Sequence, residues 1–485
     1  MRRLRYLLLG IALLLIFWGI RLWQIGAFPP FIDEVVILQF AEDVLNSGPL
    51  AHASSARQLL IWWLLPFQPT VTLSLTIARI AVLLGAMPGF AAALAISKQM
   101  GSKRAALLTA LLILFSTHLY FFQRMALADT LSSSFILVSI YMILRLKIRT
   151  SWRDMALYAV AIWAAVAAKV SALPYLGIPI AAAFALPFTS RLWKPKLRWM
   201  LVAFISGVGL AGGFVLFLML RGHNPFMAYQ RYTPEVAQGL VARFFQNIDF
   251  TITLFAEYMG IGFFIFSIVS VLILLWRRRF YLPLVLMGPL IPIWTSNWQR
   301  GRFYMATMLV LLLCASLVLD WLLKYFPRRF QYGAISLLAM ALILQWLPFA
   351  HAAIDDPSSI PLAAVDYREY VVSDAAGIGI DETLAILREN HAQQVIGLLA
   401  NCQGLRYRAQ GAPEVICPTL DFSGNNWPQL LKQVDNLRGD GVFVVIEDSP
   451  YVPSSVEGEF IAEVKRPEER ANLRIYDLSP VNPSP

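Results

Sequence analysis

The sequence predicts an α-helical polytopic membrane protein with a small α/β domain at its C-terminus. The 485 residues are 58% hydrophobic, and a soluble domain of this length could not bury so much apolar surface. Residues 1–350 contain 30 Lys and Arg against 10 Asp and Glu, whereas residues 351–485 contain 10 Lys and Arg against 20 Asp and Glu. We therefore predict a basic transmembrane domain over 1–350 and an acidic soluble domain over 351–485.

Apolar segments long enough to cross a bilayer recur throughout the first domain. The predicted crossings are 4–23, 71–97, 105–122, 127–144, 155–169, 171–189, 199–220, 252–276, 280–296, 303–323 and 332–350. We interpret 154–190 as two short helices that turn near Lys169–Pro174, because a single crossing would place its flanking basic clusters on opposite sides of the membrane. The prediction is a fold of about 11 transmembrane helices.

Basic residues occupy every second connection between these segments, as the positive-inside rule requires for cytoplasmic loops. The clusters are Arg2/Arg3/Arg5, Lys98/Lys103/Arg104, Arg145/Lys147/Arg149/Arg153, Arg191/Lys194/Lys196/Arg198, Arg277/Arg278/Arg279 and Lys324/Arg328/Arg329. This predicts a multi-pass protein of the inner (plasma) membrane, with its N-terminus in the cytoplasm and its C-terminal domain outside. The basic excess follows these loops, so we expect no nucleic-acid partner.

The predicted exported domain contains alternating helix and strand patterns. "DETLAILREN" and "WPQLLKQVDNL" are typical of helices, and "QVIGLLA", "GVFVVIE" and "LRIYDL" are typical of strands. Cys402 and Cys417 both lie in this domain. An oxidising compartment permits a disulfide between them, and two small buried thiols are the alternative.

Two positions carry acids that are candidates for chemistry. Asp33 and Glu34 follow Phe28-Pro29-Pro30-Phe31 and precede an amphipathic helix that we expect to lie along the outer membrane surface. Their structural alternative is an N-cap with a first-turn acid. Asp129 lies at the predicted outer end of the fourth crossing, where a carboxylate is costly and therefore a functional candidate. Its alternative is an ion pair with Arg124 or a helix N-cap.

Three bases belong to the same predicted side of the membrane: Arg57 in the first external loop, Lys169 at an external turn and Arg302 in "NWQRGRFY". The alternative for Lys169 is a side chain that snorkels to the interface. Together, the acids and bases fit a site in which a carboxylate acts as a general base and the cations hold a phosphate.

The order and spacing of these residues resemble the GT-C superfamily of polyprenyl-phosphate-sugar glycosyltransferases. Within it, the sequence is similar to the glycosyltransferase family 39-like branch of protein O-mannosyltransferases and lipid A aminoarabinose transferases. Asp33-Glu34, Ala41 and Gly48 match a "DE…A…G" pattern that follows the first helix in this family, and Arg57 matches a basic residue in the stretch after it. Asp129 matches the acid after the third helix. Lys169 matches the lysine that ends a short fifth helix, and Arg302 matches the arginine before a late helix.

The resemblance implies an inverting enzyme of the cell envelope that works on the extracytoplasmic side. Asp33 would deprotonate an acceptor hydroxyl, which attacks the anomeric carbon of the sugar on a polyprenyl phosphate. Glu34 and Asp129 would position Asp33, the acceptor or a cation. The cations Arg57, Lys169 and Arg302 would neutralise the leaving phosphate.

The expected partners are a polyprenyl-phosphate-sugar donor, a lipid, glycan or protein acceptor, and membrane lipid. A divalent metal ion stays an open cofactor, because some GT-C enzymes need one between their acids and others do not. A lipid or solute transporter, or flippase, is the alternative function. It would more typically place its charges at mid-membrane in paired half-repeats with broken helices, whereas most of the charges here fall at one edge.

Overall fold

The computed structural model describes residues 2–67, 74–186, 193–226, 239–295, 299–418, 427–448 and 456–479. The chain divides into two compact units. The first contains Met1–Ile25, Phe40–Val71 and Ala78–Ala350. The second contains the chain from His351 onward together with Gly26–Gln39 and the first residues of the helix that begins at Leu75. The segment that carries Asp33 and Glu34 thus belongs to the unit formed by the C-terminal part of the chain.

In the described residues up to Asp355, the regular elements of the chain are helices. Its α-helices are α1 (Arg2–Leu22), α2 (Ile32–Ser47), α3 (Gln58–Leu64), α4 (Leu75–Met100), α5 (Lys103–Leu114), α6 (Thr117–Gln123), α7 (Ala128–Ile148), α8 (Trp152–Ala168), α9 (Ile178–Phe184), α10 (Trp193–Gly207), α11 (Gly213–Leu220), α12 (Leu240–Met259), α13 (Ile261–Trp276), α14 (Tyr281–Thr295), α15 (Met305–Leu323) and α16 (Arg328–Asp355). In the part of the chain that the structure describes, five helices are long and apolar enough to cross a membrane, or up to seven if each of two bent pairs forms one span. The chain is therefore a multi-span membrane protein, and the count of about 11 stays a prediction.

Two predicted crossings are interrupted by sharp bends. The 105–122 segment breaks between α5 and α6, where the Ser116 hydroxyl caps α6 and the helices differ in direction by 65°. The 252–276 segment breaks at Gly260, whose φ of 72° is a conformation that favours glycine, and α12 and α13 differ by 118°. Helix-length hydropathy does not register such breaks, so each segment was predicted as one helix.

Helix α15 is buried along nearly its whole length, whereas most side chains of α16 are exposed. A helix that is apolar on all sides and buried on all sides belongs in the centre of a bundle. The short 3₁₀ turn Gly301–Tyr304 leads directly into α15. The central position of α15 therefore fixes Arg302 inside the first unit.

The C-terminal part forms a five-stranded sheet in the order β2-β1-β3-β5-β4. Its strands are β1 (Gln394–Leu398), β2 (Glu414–Ile416), β3 (Val442–Glu447), β4 (Glu459–Val464) and β5 (Leu473–Asp477), and its α-helices are α17 (Ala364–Tyr367), α18 (Ile380–Glu389), α19 (Cys402–Ala409) and α20 (Trp427–Asn436). Strand β1 pairs in parallel with β2 and β3, while β5 pairs antiparallel with β3 and β4. The predicted small α/β domain is confirmed as a mixed sheet with helices.

Apolar side chains pack on both faces of this sheet. Val395, Phe443 and Val445 pack against α18 and α19 on one face. Val444 and Ile446 belong to a second cluster with α20 on the other face. Strand β3 is buried at every position, as expected for a central strand covered on both faces. Cys402 and Cys417 form a disulfide, which resolves the alternative left open by the sequence.

Candidate active site

Lys169 lies where α8 stops and a 3₁₀ segment, Val170–Gly177, begins. Its backbone is extended, with φ −157° and ψ 118°, so the helix ends at this residue. Its amide still donates to Ala165 O at 3.0 Å. The helix end thus places the side chain at a fixed point instead of along a helix surface, and the turn near Lys169–Pro174 stays a prediction.

Asp129 is the partner of Lys169. It lies in the first turn of α7, where the free amide groups and the helix dipole favour a carboxylate. Lys169 Nζ donates to Asp129 Oδ1 at 2.5 Å, and the two side chains are only 11% and 8% exposed. Buried charges persist when they are paired and hydrogen-bonded. Asp129 and Lys169 therefore form a buried, hydrogen-bonded pair that fixes the position of the Lys169 amine.

Arg302 and the Asp129–Lys169 pair line one cavity of about 330 Å³. Lys169 Nζ lies 4.1 Å from the centroid of the Phe303 ring, and Arg302 Cζ lies 5.8 Å from it. Of the other lining residues, Ser132, Ser133, Ser171 and Tyr175 carry hydroxyl groups, and most of the rest are apolar, such as Ile136, Leu173, Pro174, Phe226, Ile293 and Met305. One acid and two bases give the lining a net positive charge, which suits an anionic group attached to an apolar one.

Arg57 precedes α3 and is partly buried. It does not line the cavity, but it is close enough to repel the Lys169 ammonium electrostatically, as Arg302 also does. Three of the predicted cations, Arg57, Lys169 and Arg302, therefore belong to one electropositive region of the first unit.

Asp33 and Glu34 lie in the second unit, in the first turn of α2. Glu34 is fully buried, and its Oε2 accepts a hydrogen bond from Phe31 N at 3.2 Å. A carboxylate that reaches back three residues to a free amide at a helix start is half of a capping box. Asp33 is the second residue of the helix and partly exposed. The capping carboxylate is therefore that of Glu34, and Asp33 is not the residue before the helix.

Arg124 does not carry the predicted alternative pairing with Asp129. Its guanidinium donates to Tyr120 Oη and to the carbonyls of Trp23 and Gln24, at 3.0 and 2.7 Å for the latter two. Two more buried arginines donate hydrogen bonds in the same part of the first unit. Arg79 donates to Ile25 O at 3.2 Å, and Arg21 donates to Ile113 O at 2.8 Å and to Gln123 Oε1 at 2.6 Å. These arginines supply donors to carbonyls left without partners where helices end.

No group of three or more His, Cys, Asp or Glu residues that could hold a metal ion occurs among the residues described. His52 Nε2 lies 2.9 Å from Asp43 Oδ2, and the imidazole stacks on Phe40. His118 Nε2 lies 3.0 Å from Gly301 O and is fully buried. In the described part of the chain, neither histidine therefore belongs to a group that could hold a divalent metal ion, and we derive no step through a metal.

Sequence reasoning did not identify Ser132, Ser133 or Phe303 as lining residues. Ser132 and Ser133 follow Asp129 by three and four positions on α7, and that spacing places them on the same helix face. The signal was therefore present in "DTLSSSF". Phe303 follows Arg302 directly, and nothing local indicates that its ring meets a lysine from another helix end.

No protein-family model matches the chain, and no curated protein is similar to it in sequence. Solved structures are similar in fold. ArnT from Cupriavidus metallidurans bound to undecaprenyl phosphate superposes with a TM-score of 0.62 at 14% identity, covering 99% of each chain. The apo state of that protein gives 0.59 at 14% identity and covers 100% of each chain. An Archaeoglobus fulgidus oligosaccharyltransferase in complex with zinc and sulfate gives 0.50 at 13% identity, covering 97% of this chain and 74% of that one. The chain therefore has the fold of these solved structures, and the resemblance identified from its sequence agrees with them in fold.

Proposed function

We propose that the chain is a membrane glycosyltransferase that moves a sugar from a polyprenyl-phosphate donor to an acceptor hydroxyl with inversion. The observation that carries the proposal is the cavity of the first unit, in which Lys169 and Arg302 line an otherwise mostly apolar wall. Its volume of about 330 Å³ is that of a small-molecule site. The fold likeness to ArnT bound to undecaprenyl phosphate over 99% of each chain supports the same donor class.

In the proposed reaction, the acceptor oxygen forms a bond to the anomeric carbon while the bond from that carbon to the phosphate oxygen breaks. The phosphate leaves with the bonding electron pair, so negative charge grows on it in the transition state. Lys169 and Arg302 would stabilise that charge, with Arg57 adding a longer-range contribution. Cations fixed in an apolar cavity are effective because they need little reorganisation as the charge develops.

The acids divide into different roles in this proposal. Asp33 would accept the proton of the acceptor hydroxyl, the role that the resemblance implies. Asp129 would act as a positioning residue, because its carboxylate already binds Lys169 Nζ at 2.5 Å and holds that amine in place. Glu34 would shape the start of α2 through its bond to Phe31 N. Neither of these two needs to take part in proton transfer.

The test of this function is sugar transfer by the purified protein, with a polyprenyl-phosphate-hexose as donor and mass spectrometry of the lipids that co-purify. Asp33→Asn should lower turnover on the order of 10²–10⁴-fold, the usual contribution of a general base. Binding of the polyprenyl phosphate should persist in this variant, because the proposed phosphate contacts are cationic. Asp440→Asn, at an exposed acid of the second unit, is the matched control and should leave transfer unchanged.

Near-normal turnover of Asp33→Asn would overturn the assignment of the base. Protein-dependent movement of a lipid across vesicles without transfer would instead favour the transporter or flippase. Orientation is tested separately. A reporter fused after Ile354 should give an extracytoplasmic signal and one fused after Arg149 a cytoplasmic signal, and a cytoplasmic signal at Ile354 would reverse the proposed location of the C-terminal domain.

A further inference from the structure

The second unit contains two parts of the chain that are far apart in sequence. Asn401, at the start of α19, is fully buried, and its Nδ2 donates to Pro30 O at 2.8 Å and to Ala375 O at 3.1 Å. Ala375 O also accepts from Ile32 N at 3.1 Å. The Asn401 amide thus bonds to Pro30 and the Ala375 carbonyl to Ile32, the residues on either side of Phe31. This backbone leads into Asp33 and Glu34.

The Asn401 side chain is itself held in place. Its Oδ1 accepts from Gly404 N at 3.2 Å, the bond of an N-cap to the first turn of a helix. The next residue, Cys402, is joined to Cys417 by the disulfide. With its oxygen occupied by the helix, only the amide nitrogen is free to reach Pro30 and Ala375. The orientation of the Asn401 amide is therefore determined within α19.

Packing on the same backbone leaves little room for movement. The Phe31 ring lies 4.4 Å from the Tyr370 ring, and both side chains are buried. A Cβ added to Gly377 would lie 2.2 Å from Pro30 O, and real Cβ atoms do not approach an oxygen so closely. The absence of a side chain at Gly377 therefore allows Pro30 to pack directly on the C-terminal domain.

We propose that Asn401 is a positioning residue for Asp33, and that the C-terminal domain acts in the reaction by fixing the backbone that carries the acid pair. The inference rests on the proposed function, in which Asp33 is the general base. A base must lie within hydrogen-bond reach of the proton that it takes. A displacement of about 1 Å can cost on the order of 10²-fold in rate. Asn401 bonds to Pro30, three residues before Asp33, so its loss shifts the base without changing it.

Two variants disturb this attachment in different ways. Asn401→Asp keeps an oxygen for Gly404 N, and Asp caps a helix about as well as Asn, but it directs a carboxylate oxygen at two carbonyl oxygens. Gly377→Ala leaves Asn401 intact and displaces Pro30 by steric contact. Should the first variant fail to fold, the second still tests the proposal.

The matched controls lie in the same domain, away from the attachment. Asn472→Asp changes another buried asparagine whose Oδ1 accepts a backbone amide, that of Arg466, at 2.9 Å. Gly439→Ala adds a Cβ that meets only Val442 Cγ2 at the ordinary distance of 3.7 Å. Asn472→Asp reproduces the loss of domain stability that a purely structural role would cause, and Gly439→Ala reproduces the added methyl group without a clash.

The measurements are kcat and KM for the donor, and hydrogen exchange of the peptide that spans residues 30–38. Asn401→Asp and Gly377→Ala should each lower kcat on the order of 10²-fold, with little change in KM for the donor. Amide exchange at residues 30–38 should become faster in both variants, and the controls should change neither quantity. A purely structural role would lower the kcat of Asn472→Asp as well.

The possible outcomes distinguish the positioning role of Asn401 from the role of Asp33 as the general base. Normal turnover of Asn401→Asp and Gly377→Ala beside an inactive Asp33→Asn would overturn the positioning role and leave the base assignment intact. Near-normal turnover of Asp33→Asn would overturn the base assignment, and the positioning role with it. A loss of turnover without faster exchange at residues 30–38 would also contradict positioning.

Discussion

Each unit contains a buried ion pair, and the surroundings of the two pairs differ. In the first unit, Asp129 and Lys169 lie against a cavity and keep about a tenth of their side-chain surface exposed. In the second unit, Glu447 and Arg466 are fully enclosed, with Oε1 and Nη1 2.8 Å apart. Glu447 Oε2 accepts a further hydrogen bond from Ala400 N at 2.9 Å. A buried charge therefore does not by itself indicate a functional site. The feature that distinguishes Asp129 and Lys169 is the cavity that they line.

The enclosed pair has the features of a structural element. Burial raises the pKa of the Glu447 carboxyl above its ordinary value, although the adjacent Arg466 and the Ala400 amide act in the opposite direction. Buried ion pairs contribute little net stability relative to apolar packing, yet the removal of one partner is costly. The open pair differs in one respect, because a ligand in the cavity can meet Lys169 without any rearrangement of the core.

Among variants of the two ion pairs, the largest effect is expected for Lys169→Met, which removes the charge and keeps most of the side-chain volume. The folded protein should lose transfer on the order of 10²–10³-fold through loss of transition-state stabilisation. The unfolding free energy should fall by about 3–5 kcal/mol, because Asp129 is left as an unpaired buried charge. Assays of sugar transfer and donor binding measure the loss of function, and thermal unfolding in detergent measures the loss of stability.

The double variant Asp129→Asn/Lys169→Met separates these effects. It removes both charges, so stability should recover toward that of the wild type while donor binding stays weak. Recovery of donor binding together with stability would show that the open pair is structural, like the enclosed one.

For the enclosed pair, Glu447→Gln should lower the stability of the second unit by about 3–5 kcal/mol, because Arg466 loses its countercharge inside the protein. Gln keeps an oxygen for Ala400 N, so the folded fraction should bind the donor normally. Pulse proteolysis of the full chain measures the stability. Weakened donor binding in protein that is still folded would contradict the expectation that only the Asp129–Lys169 pair affects the donor.

Reduction of the disulfide should change the stability of the second unit and leave that of the first unit unchanged. A bridge that closes a loop of 15 residues stabilises by about 3 kcal/mol in the chain-entropy description. Reduction, or Cys402→Ala with Cys417→Ala, should therefore destabilise the second unit. The first unit should not respond, because the cysteine in its described part, Cys314, is a free buried thiol. Alkylation of Cys402 and Cys417 in unfolded, non-reduced protein would show that the bridge is not formed.

The smallest effect is expected at Asp356, an exposed acid that lacks the burial of the two pairs. Hydrogen bonds from Ser358 and Ser359 hold the pKa of Asp356 below its ordinary value. A lowered folded-state pKa means that the contribution to stability is present above the unfolded-state pKa and is lost as the pH falls through the folded-state pKa. A shallow acid-side decrease in stability, reduced by Ser358→Ala, is the expected result. An unchanged pH profile in Ser358→Ala would contradict it.

Local patterns in the sequence predicted most of the second unit. Alternating or continuous apolar runs marked β1, β3 and β5, and amphipathic runs marked α18 and α20, to within a few residues of the observed bounds. Strands β2 and β4 were not predicted, since β2 has three residues and β4 is a partly exposed edge strand. Short and exposed strands have little apolar periodicity to detect.

Long-range pairings in and around the candidate site could not be predicted in the same way. Asp129 and Lys169 were both singled out, but the sequence pointed to nearby Arg124 as the alternative partner of Asp129, and the observed partner is 40 positions away. The grouping of 26–39 with the C-terminal part was also not predicted, because it involves contacts between residues far apart in sequence, such as those of Asn401 and Gly377 with Pro30 O. Such contacts follow from tertiary packing and leave no periodic signal in either segment.

The contact between Asn401 and Pro30 spans 371 positions of the chain, and this has a consequence for biosynthesis. Residues 30–34 leave the ribosome well before their partner Asn401, which is translated 371 positions after Pro30. Until Asn401 has been made, the acid pair lacks the contacts that fix its backbone. Under the proposed function, chains that end before Asn401 should therefore stay inactive even when their helices are already inserted.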